Sequence, residues 1–465
     1  MERLTVSASC PSCAAPFEFL EGANVARCPF CNLPLLFQSQ KKILRYFLPP
    51  KLEKSQVRFL IDRFRKTNGQ SLSKRVDEIR LFYVPFWRFT AQVFYTIIDQ
   101  TSLVPAPDDS EEEILTKDWD INFAAHIEND LGVATLGIRS QWLKLNILTH
   151  RRLLKDGEVL NLNTNSSQAK DRALKSLRLY TDKKKSYDDE LILRLIEERL
   201  SLIYFPFWVA NFIAPEGKFF QTIDGITKRT LKQGSGYFEL KQANQEDAEK
   251  LHPLKIVPHR CPNCAWDLPV TPFHVVFPCN NCRRIWKLSP NGYKQVTGEK
   301  AKADQEQGIS PSKDLAYYPF WVFQTKLQDE QTLSVQDALR LLPSEIGLFK
   351  ASDKTRPLLF YVPGFNIKNL NRIPAVGLAF TRTQPAWQPE ANNKGKLEGV
   401  FITEEDAKEL AEIMWINLVC SRTNLDLQTW RDLKFENARV VWLPFFEDGI
   451  FLRDTLMDYA FQKVK

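Results

Sequence analysis

The chain has 465 residues, 44% of them hydrophobic and 26% charged; that length suggests about three domains rather than one core, and the balance excludes a disordered or low-complexity protein. No stretch approaches the roughly 20 uninterrupted apolar residues that span a bilayer, and no charged leader with an apolar run opens the chain, so neither a membrane span nor a secretory signal is expected. The formal charge is +7, too small in a chain this long to argue for a nucleic-acid partner by itself.

In chain order, the first feature is a cysteine cluster. Cys10, Cys13, Cys28 and Cys31 read C-x2-C-x14-C-x2-C, and Cys261, Cys264, Cys279 and Cys282 repeat the pattern 251 residues further on. A thiolate pair two residues apart on a tight knuckle holds one edge of a metal's coordination tetrahedron, and the second pair closes it. Zn²⁺ is the expected ion, two per chain, with iron in a four-thiolate site as the alternative. Paired knuckles outside a short secreted scaffold favour metal over disulfides, hence a reducing, cytoplasmic setting. With eight thiolates and two Zn²⁺ the net charge would fall to about +3. Such a closed site leaves no open coordination position, so its expected role is to hold the fold. Val25, Leu35 and Phe37 match Val276, Trp286 and Leu288 at the same offset and are expected beside the metals. His259 and His274 flank only the second cluster and read as packing or surface residues. The ninth cysteine, Cys420, reads as a small buried hydrophobe.

Past the first cluster, residues 53–66 have helical spacing, with Val57, Leu60, Ile61 and Phe64 on one face. Tyr83-Val84-Pro85-Phe86-Trp87 is the first of four related strand-like segments. The others are Tyr204-Phe205-Pro206-Phe207-Trp208, Tyr317-Tyr318-Pro319-Phe320-Trp321 and the degenerate Trp442-Leu443-Pro444-Phe445-Phe446. Their proline is expected at a strand start, bulge or edge. Residues 104–113 read as a solvated loop, 212–220 as a hairpin and 290–313 as a linker. A helix is expected over 404–419, capped by Thr403 with Asp406 three residues on.

The recurrences keep their order, which predicts an internal duplication. The expected class is α+β: two four-cysteine zinc ribbons, each followed by an antiparallel-rich sheet domain with packed helices. The expected boundaries are 1–38 for ribbon 1, 39–250 for the first α+β domain, 251–290 for ribbon 2 and 291–465 for the second, homologous domain.

The cysteine spacing resembles the zinc-ribbon superfamily of transcription factors, RNA polymerase subunits and many bacterial proteins, over roughly 30 residues per half. Together with the Tyr-x-Pro-Phe-Trp segments it is similar to a group of poorly characterised bacterial zinc-ribbon proteins, some labelled by likeness to the zinc-binding segment of the primosomal helicase. The chain departs from the ribbon pattern after each knuckle. Ala14, Asn32, Ala265 and Arg283 stand where glycine is common, which predicts less ideal knuckle geometry. No phosphate-binding G-x-x-x-x-G-K-[ST] is present, so the label implies no helicase activity.

Enzyme signatures such as H-E-x-x-H, G-x-S-x-G and G-x-G-x-x-G are missing, and no small-molecule substrate is evident. The leading expectation is a non-enzymatic interaction, scaffold or adaptor protein with protein partners. A nucleic-acid-binding protein is the alternative, and an enzyme with an unrecognised site a weaker one. From Arg139 to Lys185 twelve Lys or Arg stand against four acidic residues. Arg151, Arg152, Lys183, Lys184 and Lys185 are the candidate anion- or partner-binding cations there; a solvated basic face is the plainer account. Few aromatics interleave these cations, which favours protein docking over single-stranded nucleic acid.

Overall fold

The computed structural model describes residues 4–38, 43–67, 75–98, 114–126, 133, 135, 143–148, 157–160, 162–182, 190–215, 217–238, 254–301, 315–327, 332–341, 354–367, 371–385, 395–420, 433–457 and 459–462. The fold is α+β, as expected: sheets dominate and a few helices pack on them. No described helix is long and apolar enough to cross a membrane.

Two long antiparallel strands, Arg75–Ile98 and Glu190–Ala214, form the spine of the first sheet. In the second sheet Leu315–Lys326 pairs with Lys434–Asp448. The registers correspond. Pro85 lies opposite Tyr204 and Phe86 opposite Ile203; Pro319 lies opposite Trp442 and Phe320 opposite Val441. Around each spine the same additions recur. A short strand runs parallel to its second member, Leu44–Phe47 in one sheet and Gly298–Lys300 in the other. Another, Glu158–Val159 or Lys396–Leu397, runs parallel to the first member. The strand that follows each spine, Gly217–Asp224 or Phe451–Asp454, ends in an Asp-led turn. Asp224 Oδ1 accepts from the Ile226 and Thr227 amides, and Asp454 Oδ1 from those of Leu456 and Met457.

The four prolines sit in the middle of these strands, not at the expected starts, bulges or edges. The carbonyls of Pro85, Pro206, Pro319 and Pro444 accept the amides of Ala125, Gly225, Gly364 and Thr455, at 2.8 to 3.1 Å. A strand residue's N and O share one edge. Each missing N–H therefore falls where a neighbouring segment turns away, and the long ladder loses no bond.

The expected helices are present. Lys54–Thr67 buries Val57 and Ile61, and Glu404–Cys420 carries Ala407, Leu410, Ala411 and Met414 into the second core. Thr403 Oγ1 accepts the Asp406 amide at 3.1 Å. Asn165 and Gln168 make the corresponding reciprocal cap at the start of Ser166–Asp182. The hairpin after Trp208 forms, with Ala214 opposite Gly217. The expected linker is partly wrong. Gly292, at φ +125°, closes a tight turn that lets Gly292–Val296 pair with Ile285–Ser289, and Gly298–Lys300 joins the second sheet. Residues 104–113 lie outside the described residues.

The first-half strands run past the length of their second-half counterparts, and their far ends dock the other half. Phe94, Ile192 and Ile196 belong to the second half's core. Arg194 pairs with Glu409 at 3.0 Å and Glu412 at 3.2 Å, and Thr96 Oγ1 donates to Asn417 Oδ1 at 3.2 Å.

Candidate metal centres

Each cluster is built from two knuckles, and the four knuckles share one backbone design. The amides of Ala14, Asn32, Ala265 and Arg283 donate to the carbonyls of Cys10, Cys28, Cys261 and Cys279, at 2.9 to 3.0 Å. The amides of those four cysteines donate to Ala15, Leu33, Trp266 and Arg284, at 2.8 to 2.9 Å. The closure needs a left-handed residue after each second cysteine. Ala14, Asn32, Ala265 and Arg283 all adopt it, with φ between 57 and 61°. The missing glycines therefore leave the geometry intact and carry a strain of about 1–2 kcal/mol per alanine or arginine.

The sulfurs converge. Cys10 and Cys31 Sγ are 3.7 Å apart and Cys13 and Cys28 3.8 Å. Cys261 and Cys282 are 3.5 Å apart and Cys264 and Cys279 3.6 Å. All four sulfurs of each set lie within 4.8 Å of one another. A tetrahedral ion bonded at about 2.3 Å has S···S edges of about 3.8 Å, so both sets fit a metal. Each would supply four thiolates and leave no position open to a substrate.

Crowding separates the thiols. Cys28 is lowered to about 7, first by the Cys31 amide, and Cys264 to about 6, first by the Trp266 amide. Cys31 feels the Leu33 amide most, which lowers it, yet burial and the neighbouring sulfurs carry it to about 11. Burial pushes Cys279 to about 12. Within each set the shifts run in opposite directions, with Cys282 lowered alongside Cys264 in the second, and a bound cation would displace the remaining thiol protons.

No histidine joins either set. His259 is buried, donates through Nε2 to Pro269 O at 3.0 Å and meets the Tyr293 hydroxyl through Nδ1. Burial lowers His259 and His274 to about 4, so both are neutral packing residues. Cys420 ends its helix.

Leu35 and Phe37 pack with Cys10 and Cys28, and Trp286 and Leu288 with Cys261 and Cys279. The Trp286 indole also donates to Cys261 Sγ at 3.2 Å. Val276 departs from expectation, while Val25 packs beside the other set's ligands, Cys261 and Cys279. Val25 lies opposite Leu36, on the strand face away from Leu35 and Phe37, and both pack into the second ribbon against Phe277 and Trp286. Val276 faces the second half's core.

The two ribbons interlock. Lys255–Pro258 pairs with Pro34–Gln38 of the first ribbon instead of with its own hairpin partner, to which only the Arg260–Asp267 bridge remains. Asn24 Nδ2 donates to His274 O at 3.0 Å. The first ribbon's hairpin also joins the first sheet, where Thr5–Ser9 runs parallel to Lys144–Ile147. Nothing local in the sequence signals this exchange of partners.

Sequence reasoning also missed a buried polar network. Arg88 pairs with Glu21 and, at 2.6 Å, with Asp120, and Ser201 Oγ donates to Glu21 Oε1 at 2.8 Å. A charged residue between Trp87 and Phe89 was the available signal. The candidate cations Arg151, Arg152, Lys183, Lys184 and Lys185 lie outside the described residues. Comparison with protein-family models, curated proteins and solved structures finds no match.

Proposed function

We propose that this is a zinc-binding, non-enzymatic interaction protein of the cytoplasm, a scaffold or adaptor built by duplication of a ribbon-plus-sheet unit. The carrying observation is the pair of closed four-thiolate sets, within which every ligand position is taken by cysteine. Thiolate-only tetrahedra suit Zn²⁺ in a structural role. The zinc ions would fix two small ribbons, the first sharing its core with the first sheet and the second packed on a small cluster around Phe277 and Trp286.

The duplication rests on correspondence in chemistry as well as in strand order. The spine registers, the Asp-led turns, the proline carbonyl contacts and the helix caps recur at matched sequence positions. On that reading the units run 1–38 with 39–250, and 251–290 with 291–465, and ribbon 2 has given its first strand to ribbon 1.

The interaction role is supported by what the ribbons present outward. Phe30, between two ligands, is 66% exposed, and Trp266, two residues after Cys264, is 58% exposed. An aromatic ring held on a rigid knuckle costs little entropy to bury against a partner. Affinity capture from the native host tests this. Specific protein partners should be retained by the wild-type chain and lost by Phe30→Ser or Trp266→Ser with zinc content unchanged. Identical captured sets from all three proteins would refute the docking role.

A further inference from the structure

The two cysteine sets share a backbone design and differ in what surrounds the ligands. In the first set Cys13 and Cys31 are exposed, and only Cys10 and Cys28 are buried in the core. In the second set no ligand is exposed. Cys261 and Cys279 are buried, and Cys264 and Cys282 pack against the same cluster around Phe277 and Trp286.

A second difference is independent of exposure. The Trp286 indole donates to Cys261 Sγ at 3.2 Å. The residue matched to Trp286 in the first ribbon is Leu35, which carries no side-chain N–H. A hydrogen bond to a ligand sulfur withdraws electron density from it and makes it a poorer nucleophile.

The first set also pairs each exposed cysteine with a buried one. Cys31 Sγ lies 3.7 Å from Cys10 Sγ, and Cys13 Sγ lies 3.8 Å from Cys28 Sγ. Oxidation of cysteine follows thiolate character, accessibility and the nearness of a second cysteine that can resolve the product. A bound metal keeps its ligands as thiolates. The first set therefore combines all three conditions, and the second lacks accessibility.

We propose that the first cysteine set is a modification site for hydroperoxides and that the second set is its protected counterpart. The thiolate of Cys31 or Cys13 attacks one peroxide oxygen, the O–O bond breaks, hydroxide leaves and a sulfenic acid forms. The buried partner, Cys10 or Cys28, attacks that sulfur; the S–S bond forms and the sulfenic oxygen leaves as a second hydroxide. Two electrons pass from the sulfur pair to the peroxide. The two ligands that remain cannot close a tetrahedron, so the first site releases its ion while the second retains its own. Only this last step rests on the zinc reading above.

Treatment of the zinc-loaded full chain with excess hydrogen peroxide tests the proposal, over hours because coordination slows the attack. Zinc release is followed with a colorimetric indicator, and the remaining thiols are alkylated at intervals and mapped by peptide mass. Disulfides Cys10–Cys31 or Cys13–Cys28 should form first, in step with one equivalent of zinc. Oxidation of Cys261, Cys264, Cys279 and Cys282 should lag by about tenfold or more. Reductant with added zinc should reverse the first phase. Trp286→Phe should speed oxidation of the second set several-fold and leave the rate of the first unchanged. Initial zinc content and the thermal transition check that this variant folds; if it does not, the wild-type order alone decides. Peptide mapping reads the order whether or not zinc is bound, so failure of the zinc reading shows separately, as low zinc content at the start. Equal rates at the two sets, earlier oxidation of the second, or sulfonic acids at Cys13 and Cys31 without a disulfide would overturn the proposal.

Discussion

Trp87 and Trp321 make the same hydrogen bond in the two sheets. Each indole donates at 2.9 Å to the carbonyl just before a helix cap, Trp87 to Thr164 and Trp321 to Ile402. Asn165 and Thr403 are the caps that follow. The tryptophan of the Pro-Phe-Trp segment thus ties a central strand to the start of the helix packed over it. That accounts for an aromatic with a donor at this position, where phenylalanine would supply a ring without one.

Replacing either tryptophan by phenylalanine should destabilise its own half by about 1–3 kcal/mol, because the carbonyl loses its donor and the smaller ring leaves part of the indole's space unfilled. Denaturant unfolding of Trp87→Phe and Trp321→Phe checks this. Costs of similar size are expected from both; a neutral effect at one position would mean that its indole bond is not shared in function.

The left-handed knuckle residues give an opposite prediction. Ala14→Gly and Ala265→Gly should each stabilise the metal-loaded chain by up to about 1 kcal/mol, the relief of left-handed strain less the extra chain entropy of glycine. A β-branched residue at either position should destabilise it. Thermal unfolding of the loaded protein, with metal content verified, reads both.

Much of this was legible in the sequence, and the boundary of legibility has a physical cause. Metal ligands must follow local spacing, so the eight cysteines announce both sets, and the Tyr-x-Pro-Phe-Trp segments announce the four spine strands. The knuckle conformation was hidden because Ala14, Ala265 and Arg283 accept strain where glycine would have signalled the turn. Nor could spacing show that Lys255–Pro258 would pair with Pro34–Gln38, or that Glu21 would meet Arg88 and Ser201, since these contacts join distant segments. Proline was misjudged because the rule against it in central strands assumes that both edges are paired. At Pro85 the edge carrying the missing donor is the one where neighbouring segments diverge.

Ribbon interlocking changes what loss of one metal should do. A chain of independent ribbons would lose the first site alone on Cys10→Ser. Because Val25 and Leu36 pack with Phe277 and Trp286, the substitution should also speed metal loss from the second site. Chelator-driven release followed with a colorimetric indicator checks this: an unchanged second phase would contradict the coupling.

Asp406 gives a pH signature of unusual sign. Burial raises it from 3.8 to about 6, with Glu197 and Glu405 adding to the rise. The folded state then holds its proton more tightly than the unfolded chain does. This contribution is present below about pH 4 and is lost as pH rises to about 6, with a magnitude of up to about 3 kcal/mol. The difference in unfolding free energy between wild type and Asp406→Asn isolates it. The difference should move in the variant's favour across that interval and level off above it. A difference independent of pH would show that Asp406 ionises normally.

The most direct test of the central claim is elemental analysis of the purified full-length chain alongside thiol titration under native conditions. Two equivalents of zinc per chain are predicted, with the eight ligand thiols unreactive until the metal is removed. Less than one equivalent of zinc, iron in its place, or disulfides mapped among Cys10, Cys13, Cys28, Cys31, Cys261, Cys264, Cys279 and Cys282 would contradict it.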